Sequence, residues 1–352
     1  MKKKDAENLM DIDVDVDVPV DEDDEYGFEF DEKTSNDSKK IRHGRRSDSK
    51  IHIAIIAVIL LIVVAVIVRI VIWNRGTEVV SDPFDIEDFD VEPSDYIQPL
   101  SGEQMAGKVD DGVNTILLLG NSPFADNYPD NNLAKALSET MDANVVNAAI
   151  PGSYLTQKYV TCTEDCSCDG ISLCEVSKAL ATGEYDNVIR AASLTSPEAE
   201  TVANTLPNID MSSVDCIMIM YDIEDYVDHR PLADDNDEYS PTSVFGAVST
   251  SIKTIQEKYP YIRIVFVSTP CCGKTIDNFF VDGEEFDLGY GTLTEYMTME
   301  LTAVTNVGAS FVDIYYGAVN IENRDKYLYD DYHINDDGAK AIATRIAKLI
   351  KL

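Results

Sequence analysis

From residue 108 onward, short continuous apolar runs alternate with segments whose apolar residues recur at helical spacing. The runs are "NTILLLG" (114–120), "NVVNAAI" (144–150), "VDCIMIMY" (214–221), "IRIVFVSTP" (262–270) and "SFVDIY" (310–315). Between them lie "NNLAKALSETM" (131–141), "SLCEVSKALATG" (172–183), "YDNVIRAASL" (185–194), 242–258, 292–306 and 336–350. A strand that is apolar on successive residues is covered on both faces, which is the habit of parallel sheets with helical crossovers. The pattern predicts an α/β domain of three layers, α/β/α, with about five parallel strands. Ligands of such sheets sit beyond the carboxyl ends of the strands. The first run ends there at Gly120-Asn121-Ser122-Pro123, delivering a serine to that edge.

Ahead of this domain the pattern changes. "IHIAIIAVILLIVVAVIVRIVIW" (51–73) is apolar almost without interruption. At about 1.5 Å per residue it is long enough to cross a hydrocarbon core of about 30 Å. Its one charge, Arg69, lies near an end, and Trp73 fits an interface anchor. Lys39, Lys40, Arg42, Arg45, Arg46 and Lys50 precede the span, whereas only Arg75 follows closely. The positive-inside rule then places residues 1–50 in the cytoplasm and residues 74–352 outside a plasma membrane. Residues 1–50 are polar and charged without a sustained apolar period, so they are expected to be disordered. Residues 74–107, acidic with scattered Pro and Gly, read as a tether to a domain spanning 108–352.

The net charge of -36 argues against a nucleic-acid partner, which would need clustered Lys and Arg. All 7 cysteines follow the span. Cys162, Cys166, Cys168 and Cys174 are closely spaced in "CTEDCSCDGISLC"; outside the cell this favours two local disulfides, with a four-thiolate zinc site as the rival. Adjacent Cys271 and Cys272 form either a strained bridge or free thiols, and Cys216 reads as a core thiol.

A serine hydroxyl becomes nucleophilic when a base takes its proton. Of the 4 histidines, His43 and His52 fall on the tail and membrane edge. His229 sits in a charged loop and reads as a surface residue. His333 lies just before the last helix, with Asp330 three residues upstream. A carboxylate at that spacing orients the imidazole and stabilises the imidazolium formed during acyl transfer. The alternative for Ser122 is structural: a serine capping the turn that follows.

Serine after the first strand, followed by Asp-x-x-His before the last helix, is an order that resembles the SGNH, or GDSL-like, hydrolase superfamily. "LLLGNSPFADN" places Ser122 at the nucleophile, with Asn121 where the family more often has Asp. "VVNAAIPGSYL" aligns Gly152 with the glycine whose N–H joins that of Ser122 in the oxyanion hole. "YDDYHINDDGAKAIA" aligns Asp330 and His333 with the remaining catalytic pair. The resemblance covers about 112–350 and implies a flavodoxin-like sheet. The pattern Tyr221-Asp222…Asp225-Tyr226 is similar to that of bacterial membrane-anchored relatives.

One block departs from the family pattern. Gly-x-Asn-Asp is expected after the third strand, its amide donating to the oxyanion, and "DIED" stands there instead. Asp222 replaces the glycine, Glu224 the asparagine, and Asp225 is retained. An ionised glutamate cannot donate a hydrogen bond. Three outcomes follow: Glu224 points away; it is protonated in a dry pocket and donates; or the domain is a non-catalytic relative. The resemblance therefore implies an extracytoplasmic serine esterase, needing no cofactor, that acts on an acylated cell-envelope glycan or a small ester. An O-acyltransferase and a non-catalytic binding or scaffold protein are the alternatives. A metal or glycosidase site built from Asp222, Glu224 and Asp225 is a further one, disfavoured because near-adjacent residues rarely face one pocket.

Overall fold

A computed structural model of the protein describes residues 92–352, apart from 109, 162–166 and 277–278. The expected tail (1–50), membrane span (51–73) and most of the expected tether lie outside the described residues. Among the described residues no helix is long and apolar enough to cross a membrane.

The strands are β1 (Thr115–Gly120), β2 (Asn144–Asn147), β3 (Cys216–Met220), β4 (Arg263–Val267), β5 (Gly273–Ile276), β6 (Phe279–Asp282) and β7 (Ser310–Val312). The principal helices are α1 (Ser122–Ala125), α2 (Asn132–Met141), α3 (Leu173–Thr182), α4 (Val244–Lys258), α5 (Leu293–Asn306) and α6 (Asp336–Leu349). β2-β1-β3-β4-β7 form one five-stranded sheet in that order, every neighbouring pair parallel. Five parallel strands between helices is the architecture the apolar runs predict.

Residues Ile116 to Leu119 are at most 1% exposed, which is why polar alternation is missing from the run. Ile116 and Leu118 share a core with Leu133 and Leu137 of α2 and Ile342 and Ile346 of α6. Leu117 and Leu119, equally buried, point by strand alternation to the other face, where α3, α4 and α5 pack together. Helix starts carry the caps expected of their residues: Asn131 accepts from the Ala134 N–H, Ser243 from Gly246, and Asn335 from Asp337 and Gly338.

Two regions differ from the sequence-based expectation. The tether was expected to run to residue 107, yet residues 94–98 dock on the outer strand of the sheet. Tyr96 exchanges both backbone hydrogen bonds with Phe311, at 2.9 and 2.7 Å. The Ser94 N–H donates to Asp313, Gln98 N–H donates to Ser310 Oγ, and Asp95 pairs with Arg345. An exposed edge strand carries a row of unpaired backbone groups, and this short segment covers them. Its acidic, Pro-containing surroundings hide it in the sequence. The second difference is the antiparallel hairpin β5–β6, formed where no regular element is expected. Its strands are four residues each, too short to show a period.

The cysteine expectations change as well. Cys174 is a free thiol facing α4; Ser251 Oγ donates to its sulfur at 3.3 Å. Burial pushes that thiol up to about 11. Cys174 therefore belongs neither to a local disulfide nor to a four-thiolate set, because its position on α3 turns it into the helix–helix interface. Cys162 and Cys166 lie outside the described residues, and Cys168 is the second residue of the turn Ser167–Ile171 that leads to α3. Cys271 and Cys272 are separate buried thiols, and Cys216 is a core thiol of β3.

Candidate active site

The site begins at a backbone constraint. Gly120 pairs with Met220 in the sheet and has φ 151°; a Cβ there would lie 1.8 Å from the Met220 carbonyl oxygen. Only glycine lets β1 turn at that point. The next residue, Asn121, is fully buried, and its carbonyl accepts from the N–H groups of Phe124 and Ala125, starting α1. Ser122 thus stands half-buried on the first turn, at the carboxyl edge of the sheet.

The Asn121 side chain ties this edge together. Its Nδ2 lies 2.8 Å from Asp222 Oδ1, 2.9 Å from Glu224 Oε2 and 3.2 Å from the Ser153 carbonyl. Its Oδ1 accepts from the Asp222 N–H at 2.9 Å. One amide therefore joins the ends of β1 and β3 and the loop after β2. That loop turns at Pro151-Gly152, where Gly152 has φ 73° and the Ser153 N–H donates to Ile150. Among the described residues, neither the Ser122 N–H nor the Gly152 N–H has a hydrogen-bond partner. Both remain available to a ligand.

Asp225, expected to line the site, does not. It is 6% exposed and accepts from the Leu155 and Thr156 N–H groups, both at 2.9 Å, and from the Thr156 hydroxyl at 2.6 Å. It anchors the Gly152 loop from behind, because the short helix Glu224–Val227 turns consecutive side chains to different sides. The three-carboxylate site, disfavoured from the sequence, does not form: Asp222 and Glu224 meet through Asn121, while Asp225 bonds to the Gly152 loop instead.

His333 arrives on the segment between β7 and α6. Asp330 Oδ2 lies 2.7 Å from His333 Nδ1, and its Oδ1 accepts from the backbone of His333 at 2.7 Å and Tyr332 at 3.0 Å. Burial would raise the Asp330 carboxyl, but those N–H groups and the imidazole outweigh it and hold the group below its usual range. The next residue, Asp331, latches the loop to β5, accepting from the Thr275 N–H at 2.8 Å and hydroxyl at 2.6 Å. The imidazole stacks on Tyr329, centroids 5.3 Å apart, and packs against Tyr332. His229 is exposed on the loop after Glu224–Val227.

Ser122, Asp222, Thr269, His333 and the tyrosines Tyr329 and Tyr332 open on one cleft of about 500 Å³. The serine and histidine line one cleft, yet among the described residues no hydrogen bond joins them. The Ser122 hydroxyl interacts with the Asp222 carboxylate, and His333 Nε2 faces Asp126 Oδ2 at 3.9 Å. Burial raises the Asp126 carboxyl, the imidazole opposes that, and Asp222 and Asp330 add to it. Asp126 was not anticipated. Its position four residues beyond Ser122, one helical turn on, is the signal that would have found it. The flanking tyrosines and Thr269 follow from no motif; the loop path and the end of β4 place them there.

No family model and no curated protein matches the chain. Solved structures do. They include a Lactobacillus plantarum protein (17% identity, TM-score 0.47, covering 67% of this chain and 95% of that one). A possible lipase from Chitinophaga pinensis matches at 16% identity and TM-score 0.41, over 66% and 96%. A carbohydrate acetylesterase from Sinorhizobium meliloti matches at 15% and 0.39, over 67% and 97%. The chain resembles the SGNH, or GDSL-like, hydrolases. That resemblance rests on the residues above: Ser122 after β1, Gly152 after β2 and Asp330-x-x-His333 before α6, all at the carboxyl edge of one parallel sheet.

Proposed function

We propose that this protein is a serine-dependent ester hydrolase. The observation that carries the reading is the meeting of Ser122 with the His333–Asp330 pair in one cleft, beside two unused backbone donors. In this reading the serine rotates from Asp222 toward His333 Nε2, across the cleft that both line. Oγ then attacks an ester carbonyl as its proton passes to Nε2, while Asp330 stabilises the imidazolium. The N–H groups of Ser122 and Gly152 receive the carbonyl oxygen as it becomes negative. Collapse expels the alcohol, which takes the proton from His333. Water repeats the sequence on the acyl-serine, releasing a carboxylic acid; with a sugar hydroxyl in its place the same steps transfer the acyl group. Every step uses side chains and backbone of this chain, with no cofactor.

The N-terminal charge and hydropathy pattern supports a location: a single-pass plasma-membrane protein with this domain extracytoplasmic. A cell-envelope or extracellular glycan bearing ester-linked acyl groups suits that location.

A binding or scaffold role is the second reading. It is favoured by the absence of a Ser122–His333 hydrogen bond: Ser122 interacts with Asp222, and His333 Nε2 faces Asp126. Fluorophosphonate labelling of the full chain separates the two. An esterase labels, and Ser122→Ala and His333→Ala each abolish the labelling. Folded wild-type chain that does not label would overturn the esterase reading and favour the scaffold.

A further inference from the structure

Asp126 takes no part in the attack by Ser122, yet it lines the same cleft as Ser122 and His333. Its backbone is fixed at the end of α1. The Asp126 N–H donates to the Ser122 carbonyl at 2.9 Å, and the Asp126 carbonyl accepts the Asn131 amide at 2.9 Å. The side chain is therefore set one helical turn past the nucleophile.

Three other acids of this region are occupied. Asp330 accepts from two backbone N–H groups and pairs with the imidazole. Asp222 accepts the Asn121 amide and the Glu224 N–H, and Asp336 accepts the Asn132 amide. The Asp126 carboxylate accepts no hydrogen bond among the described residues; it faces His333 Nε2, with Oδ2 at 3.9 Å. That separation is too long for a direct hydrogen bond. Two hydrogen bonds of about 2.8 Å that meet at about 90° on one oxygen span about 4 Å. The pair is thus spaced for a single bridging hydroxyl.

We propose that Asp126 Oδ2 and His333 Nε2 together hold the water that hydrolyses the acyl-serine, a role that rests on the esterase reading. The water donates one hydrogen to each, which leaves a lone pair for the acyl carbon. Its oxygen bonds to that carbon as one proton passes to Nε2. The other hydrogen stays on the attacking oxygen, bonded to Asp126. Collapse breaks the bond from the acyl carbon to Ser122 Oγ, and Oγ takes the proton from Nε2. The carboxylic acid leaves with the remaining hydrogen. Asp126 gains and loses no proton; it orients the water for one half of the cycle only.

The test follows the decay of acetyl-Ser122 in wild-type and Asp126→Asn full chains, by rapid acid quench and mass spectrometry after mixing with p-nitrophenyl acetate. Asp126 makes no side-chain hydrogen bond within the protein, so the variant should keep its fold. Decay is expected to slow by roughly 10- to 100-fold, and acetyl-Ser122 to accumulate. Fluorophosphonate labelling, which reports attack by Ser122 alone, is not slowed. Hydroxylamine attacks esters without a base, and should clear acetyl-Ser122 equally fast from both chains. A residue that only supported the structure would slow labelling and the hydroxylamine reaction as well. Acetyl-Ser122 that decays in Asp126→Asn at the wild-type rate would overturn the role, as would slowing of all three readouts together. Wild-type chain that neither labels nor forms acetyl-Ser122 defeats the esterase reading first, and the water-holding role with it.

Discussion

Two carboxyl groups, Asp330 against the His333 imidazole and Glu224 against the Asn121 amide, are driven in opposite directions. Asp330 lies on an irregular loop, where two backbone N–H groups and an imidazole converge on it and burial is too weak to prevail. Glu224 lies on the first turn of a short helix beside Asp222, where burial and a second carboxylate prevail over one amide. The lesson is that the balance of burial against converging donors, not the residue type, sets the direction: Asp225 is pushed up by burial although three donors converge on it. Loops supply free N–H groups at their turns, so a carboxylate there is easily satisfied. At a strand end crowded with acids, burial and like charge push the carboxyls up. The same contrast marks the carboxylate held in its charged form, Asp330, as the one that orients the base.

The largest expected effect removes the charged member. Asp330→Asn keeps the shape but discards the charge that stabilises the imidazolium, and hydrolysis of p-nitrophenyl acetate should fall by roughly 10³- to 10⁴-fold. A fall under tenfold would mean that His333 is oriented by something else. Next comes the latch. Asp331→Ala removes both hydrogen bonds to Thr275 and frees the loop that carries Asp330 and His333. A loss of roughly tenfold in kcat/KM, with the fold intact by circular dichroism, is expected. Asp126→Asn should act oppositely. It withdraws the carboxylate facing His333 Nε2, so fluorophosphonate labelling should quicken a few-fold. Slower labelling would instead give Asp126 a supporting part.

The smallest effect is on stability, and it sharpens the contrast because the signs differ. Asp330 has a lowered pKa in the folded state, so its contribution is present above the unfolded value of about 4 and is lost as pH falls further. Glu224 has a raised one; its contribution is present below about pH 4 and is lost progressively as pH rises toward about 9. Melting temperatures of wild type and Glu224→Gln should therefore diverge by a few degrees between neutral pH and pH 9, wild type declining more. Parallel curves would show that Glu224 ionises normally.

The apolar runs and helical periods of residues 108–352 determine the layered α/β architecture, since continuous burial and capping residues are local properties. They also bring Ser122 to a strand end and set Asp330 one turn from His333, because those relations span a few residues. Three things are decided only in three dimensions. Residues 94–98 join the sheet because an edge strand some 210 positions away needs covering. Asp225 turns from the cleft, and Asp126 into it, because a short helix and the first turn of another set those directions. Glu224 is pushed up by burial and by Asp222 beside it, a neighbourhood that exists only where the ends of β1 and β3 meet. Linear spacing reports which residues can meet; burial and donor supply, which belong to the assembled sheet edge, fix what each one does there.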